Sequence, residues 1–238
     1  MFYNILLMAG RGNRFKVAGY NKPKALLKYK KKPMFQSSME QFPDCDKWIF
    51  AVSKEIYLNE EFINFLNDFK ESYELVSFDN TTNGQATTCM ESLNFISDED
   101  SFFVGACDTI LDKKVTQENL AAADSVVMVS QPTEFQLNNS SNFGWIVKNR
   151  NKLKVFCKEQ VPKKFTDPKV ILGFFYFSSK TNYKAAYEKM LHDKMFINDE
   201  LYIDVLLQNM IDNHLVLKTF ETNSIVLGTP SEYEENYE

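Results

Sequence analysis

The sequence predicts an α/β fold, a Rossmann-like three-layer sandwich around a mixed, mostly parallel sheet. Two observations lead to this prediction. In the first half, apolar runs of strand length alternate with amphipathic runs of helix length, and the connections are short. After residue 124 several strand-like runs follow one another, which favours antiparallel pairing. We therefore predict a single domain over residues 1–238, with a parallel half (1–123) and a mixed half (124–238).

The first half opens with a strand and continues in strand–helix units. Phe2–Met8 is almost entirely apolar, as expected for a buried strand. A helix is predicted to begin near Pro33, because proline suits the first helical turn and apolar residues follow at helical spacing. Residues 60–69 place their phenylalanines on one helical face, and a further helix opens within 83–90. The remaining strands of this half are predicted at 47–53, 73–78 and 101–106.

The second half is predicted to mix strands and helices. Its strands are expected at 125–130, 144–147, 153–156, 170–177, 214–220 and 224–227. Its helices are expected at 181–191 and 200–213, with a last one from Pro230. We expect this half to lie over the open edge of the parallel sheet.

The bulk composition excludes several classes of protein. A net charge of −5 over 238 residues argues against a general binder of nucleic acid or of anionic membranes. No apolar run approaches the roughly 18 residues of a membrane span, and no signal peptide is evident. Two histidines and four widely spaced cysteines argue against a zinc site. We expect a cytoplasmic protein in which Cys45, Cys89, Cys107 and Cys157 stay reduced.

The N-terminal strand runs into a loop that carries Gly10 and Gly12 and ends at Arg14. Small residues after a buried strand let backbone N–H groups approach an anion closely, and nearby cations then neutralise it. Lys24 follows in the segment Pro23-Lys24 and could add a second cation. Phosphate is the anion that this pattern favours, although a tight turn and a solvated lysine would use the same residues. The spacing matches neither the P-loop nor the dinucleotide-binding pattern.

Asp108 lies just beyond the predicted strand 101–106. In an open α/β sheet, ligands bind beyond the carboxyl ends of the strands. A carboxylate there suits Mg²⁺, which takes hard oxygen ligands and often uses only one or two protein carboxylates beside phosphate oxygens. An aspartate that caps a turn or a helix is the alternative, and the residues alone leave both open.

Two further polar segments are candidates for binding. Gly84 and Gln85 precede a predicted helix, and a glutamine amide, which both donates and accepts hydrogen bonds, suits the edge of a nucleobase. A plain helix start would use the same two residues. Glu200 and Asp204 are four residues apart in the predicted helix 200–213 and would share one face. Two like charges on one face favour either solvent or a bound cation.

These segments resemble the sugar-phosphate nucleotidyltransferases. Leu7–Phe15 and Pro23–Leu26 are similar to the family pattern Leu-Ala-Gly-x-Gly-x-Arg followed by Pro-Lys-x-Leu. The resemblance implies the nucleotide-diphospho-sugar transferase form of the predicted fold. It also implies that residues 1–123 form a nucleotide-binding half and residues 124–238 an acceptor-binding half.

The resemblance also implies a role for each candidate residue. The nucleotide would meet Ala9, Gly10, Gly12, Gly84 and Gln85. The catalytic cations would be Arg14 and Lys24, and Asp108 would hold Mg²⁺. The acceptor would meet Lys158, Gly173, Glu200 and Asp204.

The sequence departs from the family pattern at two positions. Cys157 stands where the family usually has a glutamate, which favours an acceptor other than an ordinary hexose phosphate. Val226 stands where members with a second metal-ligating aspartate carry that residue. The metal would then lose that carboxylate or take one from elsewhere, with Glu200 and Asp204 as the candidates.

The expected reaction is Mg²⁺-dependent transfer of a nucleotidyl group from a nucleoside triphosphate to a phosphorylated small molecule. A narrower resemblance, to cytidylyltransferases of bacterial capsule clusters, favours CTP as the donor and leaves sugar 1-phosphates and phosphoglutamine open as acceptors. The alternatives are a glycosyltransferase of the same fold and a non-catalytic nucleotide-binding module. The lack of an Asp-x-Asp segment at the strand end that carries Asp108 argues against the first, and the presence of both Asp108 and Lys158 argues against the second. A homo-oligomer stays open.

Overall fold

The computed structural model describes residues 1–149, 152–162, 164–165 and 167–237. Its strands are β1 (Phe2–Met8), β2 (Lys28–Tyr29), β3 (Lys32–Pro33), β4 (Lys47–Ser53), β5 (Tyr73–Phe78), β6 (Ser101–Ala106), β7 (Thr109–Leu111), β8 (Ser125–Ser130), β9 (Gly144–Asn149), β10 (Lys152–Cys157), β11 (Lys169–Phe177), β12 (Leu217–Glu221) and β13 (Ser224–Val226). Its α-helices are α1 (Asn13–Val17), α2 (Met34–Met39), α3 (Lys54–Tyr57), α4 (Glu60–Asp68), α5 (Gln85–Ser92), α6 (Gln117–Leu120), α7 (Glu134–Asn138), α8 (Lys180–His192), α9 (Ile203–Asp212) and α10 (Pro230–Asn236). None of the helices within these residues has the length and apolar character that crossing a bilayer requires.

Nine strands form one mixed sheet. Its order is β10-β9-β11-β6-β1-β4-β5, and β8 pairs with β11 and with β12. The pairs of β1 with β4 and β6, and of β4 with β5, are parallel. β11 runs antiparallel to β6, β8 and β9, whereas β12 runs parallel to β8. The predicted α/β architecture, with a parallel region and a mixed region, is confirmed.

Apolar residues alternate between the two faces of the sheet and build a core on each. Along β1, Ile5 and Leu7 join the core under α5, α8 and α9. Leu6 and Met8 join the core on the opposite face, which packs against α2 and α4. Burying a side chain of this size stabilises the fold by about 1.5–3 kcal/mol, so each face holds its helices mainly through such contacts. The result is a helix–sheet–helix sandwich.

The second half extends the edge of the parallel sheet, whereas we expected it to lie over that edge. β11 hydrogen-bonds directly to β6, with Phe175 opposite Val104. The unpaired N–H and C=O groups of an edge strand are satisfied best by another strand, which explains this outcome. The later strand β12 begins at Leu217, three residues beyond the predicted start at His214, which has left-handed backbone (φ 64°).

The helix predicted over 200–213 begins later than expected. α9 starts at Ile203, and Glu200 lies in a tight turn before it. Asn198 (φ 52°) and Asp199 (φ 62°) both have left-handed backbone, which asparagine and aspartate tolerate better than most residues. The prediction that Glu200 and Asp204 share a helix face is therefore wrong.

A β-bulge opens the middle of β11 beside the carboxyl end of β6. The pairing of β11 with β8 shifts register between Ile171 and Phe175. Gly173 lies within this shift at φ 77°, a conformation that glycine adopts without steric cost. A β-carbon at this position would lie 3.5 Å from the side chain of Ala106, the last residue of β6. The bulge thus brings backbone of the second half next to the end of a parallel strand.

Candidate active site

One cavity of about 700 Å³ lies beyond the carboxyl ends of β1 and β6. It is lined by every residue that we predicted for the site: Ala9, Gly10, Gly12, Arg14, Lys24, Gly84, Gln85, Asp108, Lys158, Gly173, Glu200 and Asp204. The fold therefore brings candidates from both halves of the sequence to one place.

The loop between β1 and α1 offers backbone donors to this cavity. Gly12 caps α1 with left-handed backbone (φ 62°), which favours glycine. The N–H groups of Gly10, Arg11 and Gly12 donate to no other group within the described part of the chain. Arg14 is exposed in the first turn of α1 and lines the same cavity. Unpaired N–H groups beside arginines are suited to bind an anion.

A lysine–aspartate pair lies at the end of β6. Lys24 begins a short 3₁₀ turn, and Asp108 lies in the tight turn between β6 and β7. The Lys24 Nζ lies 2.5 Å from Asp108 Oδ2, and the side chains are 24% and 18% exposed. Burial, the largest single effect, would lower the pKa of Lys24, but the charge and hydrogen bond of Asp108, together with the nearby Cys107, outweigh it and the pKa is raised. Lys24 is therefore a cation at neutral pH, and its ion pair with Asp108 fixes the position of its ammonium group.

The start of α5 is hydrogen-bonded to a segment of the second half. The Leu201 N–H donates to the Asn83 carbonyl at 2.8 Å, and the Ala86 N–H donates to the Leu201 carbonyl at 3.0 Å. Gly84 lies between these bonds at φ 102°, and a β-carbon there would lie 2.5 Å from the Leu201 carbonyl oxygen. Only glycine fits this approach. Gln85 follows half-buried at the helix start and lines the cavity.

A further cation of the cavity, Lys158, is surrounded by polar and aromatic groups. Together they form what we call the Lys158 cluster (Asn142, Lys158, Glu200, Tyr202 and Asp204). The Lys158 ammonium donates to the Asn142 carbonyl and lies 5.6 Å from the centre of the Tyr202 ring. The Tyr202 hydroxyl donates to Glu200 at 2.5 Å. Within the described residues neither Glu200 nor Asp204 forms an ion pair. The cluster therefore carries one more negative charge than positive charge when both carboxylates are ionised.

Asp204 is the buried member of the cluster, with 9% of its surface exposed. Its carboxylate packs against Gly144, where any β-carbon would overlap it. Burial raises the pKa of Asp204 to about 6, although Lys158 and a hydrogen bond from the Cys157 thiol favour the ionised form. Asp204 is thus mostly ionised at neutral pH, and a ligand that donates hydrogen bonds would favour that form further.

Several residues that line the cavity were not predicted. Arg11 lies inside the glycine-bearing loop, and its place between Gly10 and Gly12 could have identified it from the sequence. Tyr202 lies between Glu200 and Asp204, and its place between these two candidates could have identified it in the same way. Asn142 precedes β9 in a stretch of polar residues that carries no signal of its own.

The three carboxylates considered as metal ligands have different partners. Glu200 accepts from Tyr202, and Asp204 packs against Gly144, whereas Asp108 pairs with Lys24. Within the described residues, no group of three or more His, Cys, Asp or Glu side chains is gathered in a way that would hold a metal ion.

A sandwich of this topology, with a backbone-donor loop and the separate cations Arg14, Lys24 and Lys158 in one cavity, is suited to bind phosphorylated substrates. The sequence profile of the MobA-like NTP transferase domain matches residues 4–161, more than half of the chain. The chain belongs to this family. A comparison with curated proteins found no match.

Solved structures share the fold over nearly the whole chain. A nucleoside-diphosphate-sugar pyrophosphorylase from Vibrio cholerae is 21% identical with a TM-score of 0.79, covering 98% of this chain and 99% of that chain. The inositol-1-phosphate CTP transferase from T. maritima is 16% identical with a TM-score of 0.73, covering 97% and 90%. A UTP-bound UGPase from Acinetobacter baumannii is 14% identical with a TM-score of 0.71, covering 100% and 92%. These similarities confirm the predicted three-layer fold.

Proposed function

We propose that the enzyme joins a nucleoside monophosphate group from a nucleoside triphosphate to a phosphorylated small molecule and releases pyrophosphate. The observation that supports this most is that the donor loop at Gly10–Gly12, the Lys24–Asp108 pair and the Lys158 cluster line the same cavity. Two phosphorylated substrates that react with each other need this combination, because each brings negative charge to one site.

The proposed reaction is a single displacement at phosphorus. An oxygen of the acceptor phosphate attacks the α-phosphorus of the triphosphate and forms a new P–O bond. The bond from the α-phosphorus to the bridging oxygen of the β-phosphate breaks, and pyrophosphate leaves with that electron pair. A phosphate monoester has its second pKa near 6, so it is largely ionised at pH 7 and needs no general base. Positioning and charge stabilisation would therefore provide the catalysis.

The residues of the first half would act on the triphosphate. The free N–H groups of Gly10 and Gly12 would bind its phosphate oxygens. Arg14 and Lys24 would stabilise the charge that develops on the α-phosphate and on the leaving pyrophosphate. Because Asp108 holds Lys24 in place, little reorganisation is needed when the substrate binds.

We assign Mg²⁺ to Asp108, since members of this family typically use a divalent metal. A half-buried carboxylate at a strand end is a hard oxygen ligand, and Gly228 leaves space beside it: a β-carbon at residue 228 would lie 3.3 Å from Asp108 Oδ2. Bound Mg²⁺ would neutralise charge on the phosphates.

The acceptor would bind at the Lys158 cluster. Lys158 would hold its phosphate, and Gly173 would let it approach the β11 backbone. The carboxylates of Glu200 and Asp204 accept hydrogen bonds, so they fit the hydroxyl groups of a sugar 1-phosphate or the ammonium group of phosphoglutamine. We favour CTP as the donor and a role in surface polysaccharide biosynthesis, in a reducing compartment such as the cytoplasm.

The test is pyrophosphate release, with Mg²⁺ present and each of the four common nucleoside triphosphates crossed with sugar 1-phosphates, phosphocholine and phosphoglutamine. We expect release with one pair. A parallel reaction with nucleotide sugars as donors serves as the comparison: sugar transfer there, with no pyrophosphate released from any triphosphate pair, would contradict the proposal and indicate a glycosyltransferase. Nucleotide binding without turnover of any pair would favour a binding module.

A further inference from the structure

Two carboxylates from distant parts of the chain converge beside Gly228. A β-carbon at residue 228 would lie 3.3 Å from Asp108 Oδ2 and 3.5 Å from Glu232 Oε2. The Val226 side chain lies 3.8 Å from the same point. Gly228 and Asp108 both line the cavity, and Glu232 lies just behind Gly228.

The convergence is built into the fold. β13 pairs with β7, and the Leu227 N–H donates to the Asp108 carbonyl at 2.7 Å, so the chain around residue 227 is fixed to the turn that holds Asp108. α10 then begins at Pro230. Its Tyr233 hydroxyl donates to the Lys28 carbonyl at 2.6 Å, which holds the helix in place.

The Glu232 side chain lies in the first turn of α10 and accepts one hydrogen bond. The Thr229 hydroxyl donates to Glu232 Oε2 at 2.9 Å, and the Glu232 N–H donates to that hydroxyl at 3.3 Å. Within the described residues Glu232 forms no ion pair, whereas Asp108 is paired with Lys24. The two carboxylates and the one ammonium group leave a net charge of −1 at this point.

We propose that Glu232 supplies the second carboxylate of the divalent-cation site at Asp108, in place of the aspartate that the family resemblance expects at Val226. The inference rests on the assignment of Asp108 under the proposed function. Mg²⁺ is usually held by one or two carboxylates together with substrate phosphates, and Asp108 with Glu232 forms such a donor set. Glu200 and Asp204, the candidates from the sequence, belong to the Lys158 cluster.

The alternative is that Glu232 only caps α10. Thr229 and Glu232 hold the N-cap and N3 positions, where a carboxylate also interacts favourably with the helix dipole. A capping role would affect stability and leave the affinity for metal unchanged. The two roles therefore predict different measurements.

The test is Mn²⁺ binding to the full chain, measured by electron paramagnetic resonance with and without CTP. Glu232→Gln keeps the hydrogen bond from Thr229 and removes the charge. We expect it to weaken Mn²⁺ binding at least about tenfold, as losses around metal sites commonly do. The matched control is Glu235→Gln, an exposed position of the same helix, which should bind Mn²⁺ as the unmodified chain does.

Two more variants test whether the carboxylate at this point binds the cation. Adding Val226→Asp to Glu232→Gln should restore Mn²⁺ affinity, because it returns a carboxylate beside residue 228. Gly228→Ala should weaken Mn²⁺ binding without lowering the melting temperature, because its backbone is outside the left-handed region and its methyl group would lie within 3.5 Å of an oxygen of each carboxylate.

The Mn²⁺-binding results distinguish the role of Glu232 from the cation site at Asp108 and from the proposed reaction. Weakened binding in Asp108→Asn with unchanged binding in Glu232→Gln would overturn the role of Glu232 alone. Unchanged binding in both variants, or no Mn²⁺ binding by the unmodified chain, would overturn the cation site itself. Pyrophosphate release by the unmodified chain is a separate readout, so the proposed reaction stands or falls independently.

Discussion

Lys24 is oriented toward the cavity before any phosphate arrives. Its ammonium group lies 2.5 Å from the Asp108 carboxylate, and the turn that carries it begins at Pro23. A cation that is held in this way loses little freedom when substrate binds, which is the condition under which a charge contributes most to catalysis. We therefore expect the Lys24–Asp108 pair to increase the rate of the chemical step.

Lys24→Met should lower kcat by roughly 10²–10³, because the stabilisation of the developing phosphate charge is lost while the side-chain length is kept. Pyrophosphate release at saturating substrates would measure it. Lys32→Met is the control, since Lys32 pairs with Glu40 away from the cavity. A fall of less than about tenfold would contradict a role for Lys24 in the transition state.

Asp204 should make the stability of the fold depend on pH. Its pKa is about 6 in the fold and 3.8 in the unfolded chain, so between these values the folded state keeps a proton that the unfolded chain releases. The free energy of unfolding therefore falls as the pH rises through this window, by roughly 3 kcal/mol in total. Asp204→Asn removes this component.

Urea denaturation of both proteins at pH 4, 5, 6 and 7 would test this. The Asn variant should gain stability relative to the unmodified chain as the pH rises and stop gaining above the pKa. Asp212→Asn, an exposed position on α9, should show no such trend. If the difference in the free energy of unfolding between the two proteins stays constant with pH, burial does not raise the pKa of Asp204.

At the scale of elements, the contact between the start of α5 and Leu201 depends on the glycine at position 84. Gly84→Ala would introduce a β-carbon 2.5 Å from the Leu201 carbonyl, at a φ of 102° that alanine rarely adopts. We expect a loss of about 1–3 kcal/mol in the free energy of unfolding and higher KM values for both substrates. Gly10→Ala is the control for stability, because its β-carbon would meet no atom within 4 Å. Equal stability of the two variants would contradict the argument.

The sequence predicted the longer elements well because their periodicity is local. The strands expected at 73–78, 101–106 and 125–130 coincide with β5, β6 and β8. The helices α1, α3, α6 and α7 have four or five residues, too few to show a helical period, and were not predicted.

For the residues of the site, too, only local patterns could be predicted from the sequence. Residues in local motifs, such as Gly10 and Lys24, could be identified from the sequence. The conformation around Glu200 could not, because the N–H of the next residue, Leu201, donates to the carbonyl of Asn83, a residue more than a hundred positions away. A helical pattern over 200–213 could not reveal that competing partner.

At the scale of the whole molecule, the two halves are joined by the pairing of β6 with β11 and also by the hydrogen bonds around Leu201. Binding of a nucleotide that orders the start of α5 should therefore slow exchange of the Leu201 amide hydrogen, which is bonded to the Asn83 carbonyl. Hydrogen exchange with and without CTP and Mg²⁺ would measure the effect. The Leu58 amide, which is bonded within α3, should be unaffected and serves as the internal reference. Equal exchange at Leu201 in both states would mean that the nucleotide does not stabilise this junction.

The pairing of β6 with β11 has a consequence for synthesis on the ribosome. β6 ends at Ala106, but its partner begins only at Lys169. At 5–20 residues per second, roughly 3–13 s separate the emergence of the two strands. During that interval the nascent chain exposes an apolar strand edge, the feature that promotes association with other chains. The first half is therefore expected to need a chaperone, or its own second half, to remain monomeric, and a fragment of residues 1–123 made alone should aggregate.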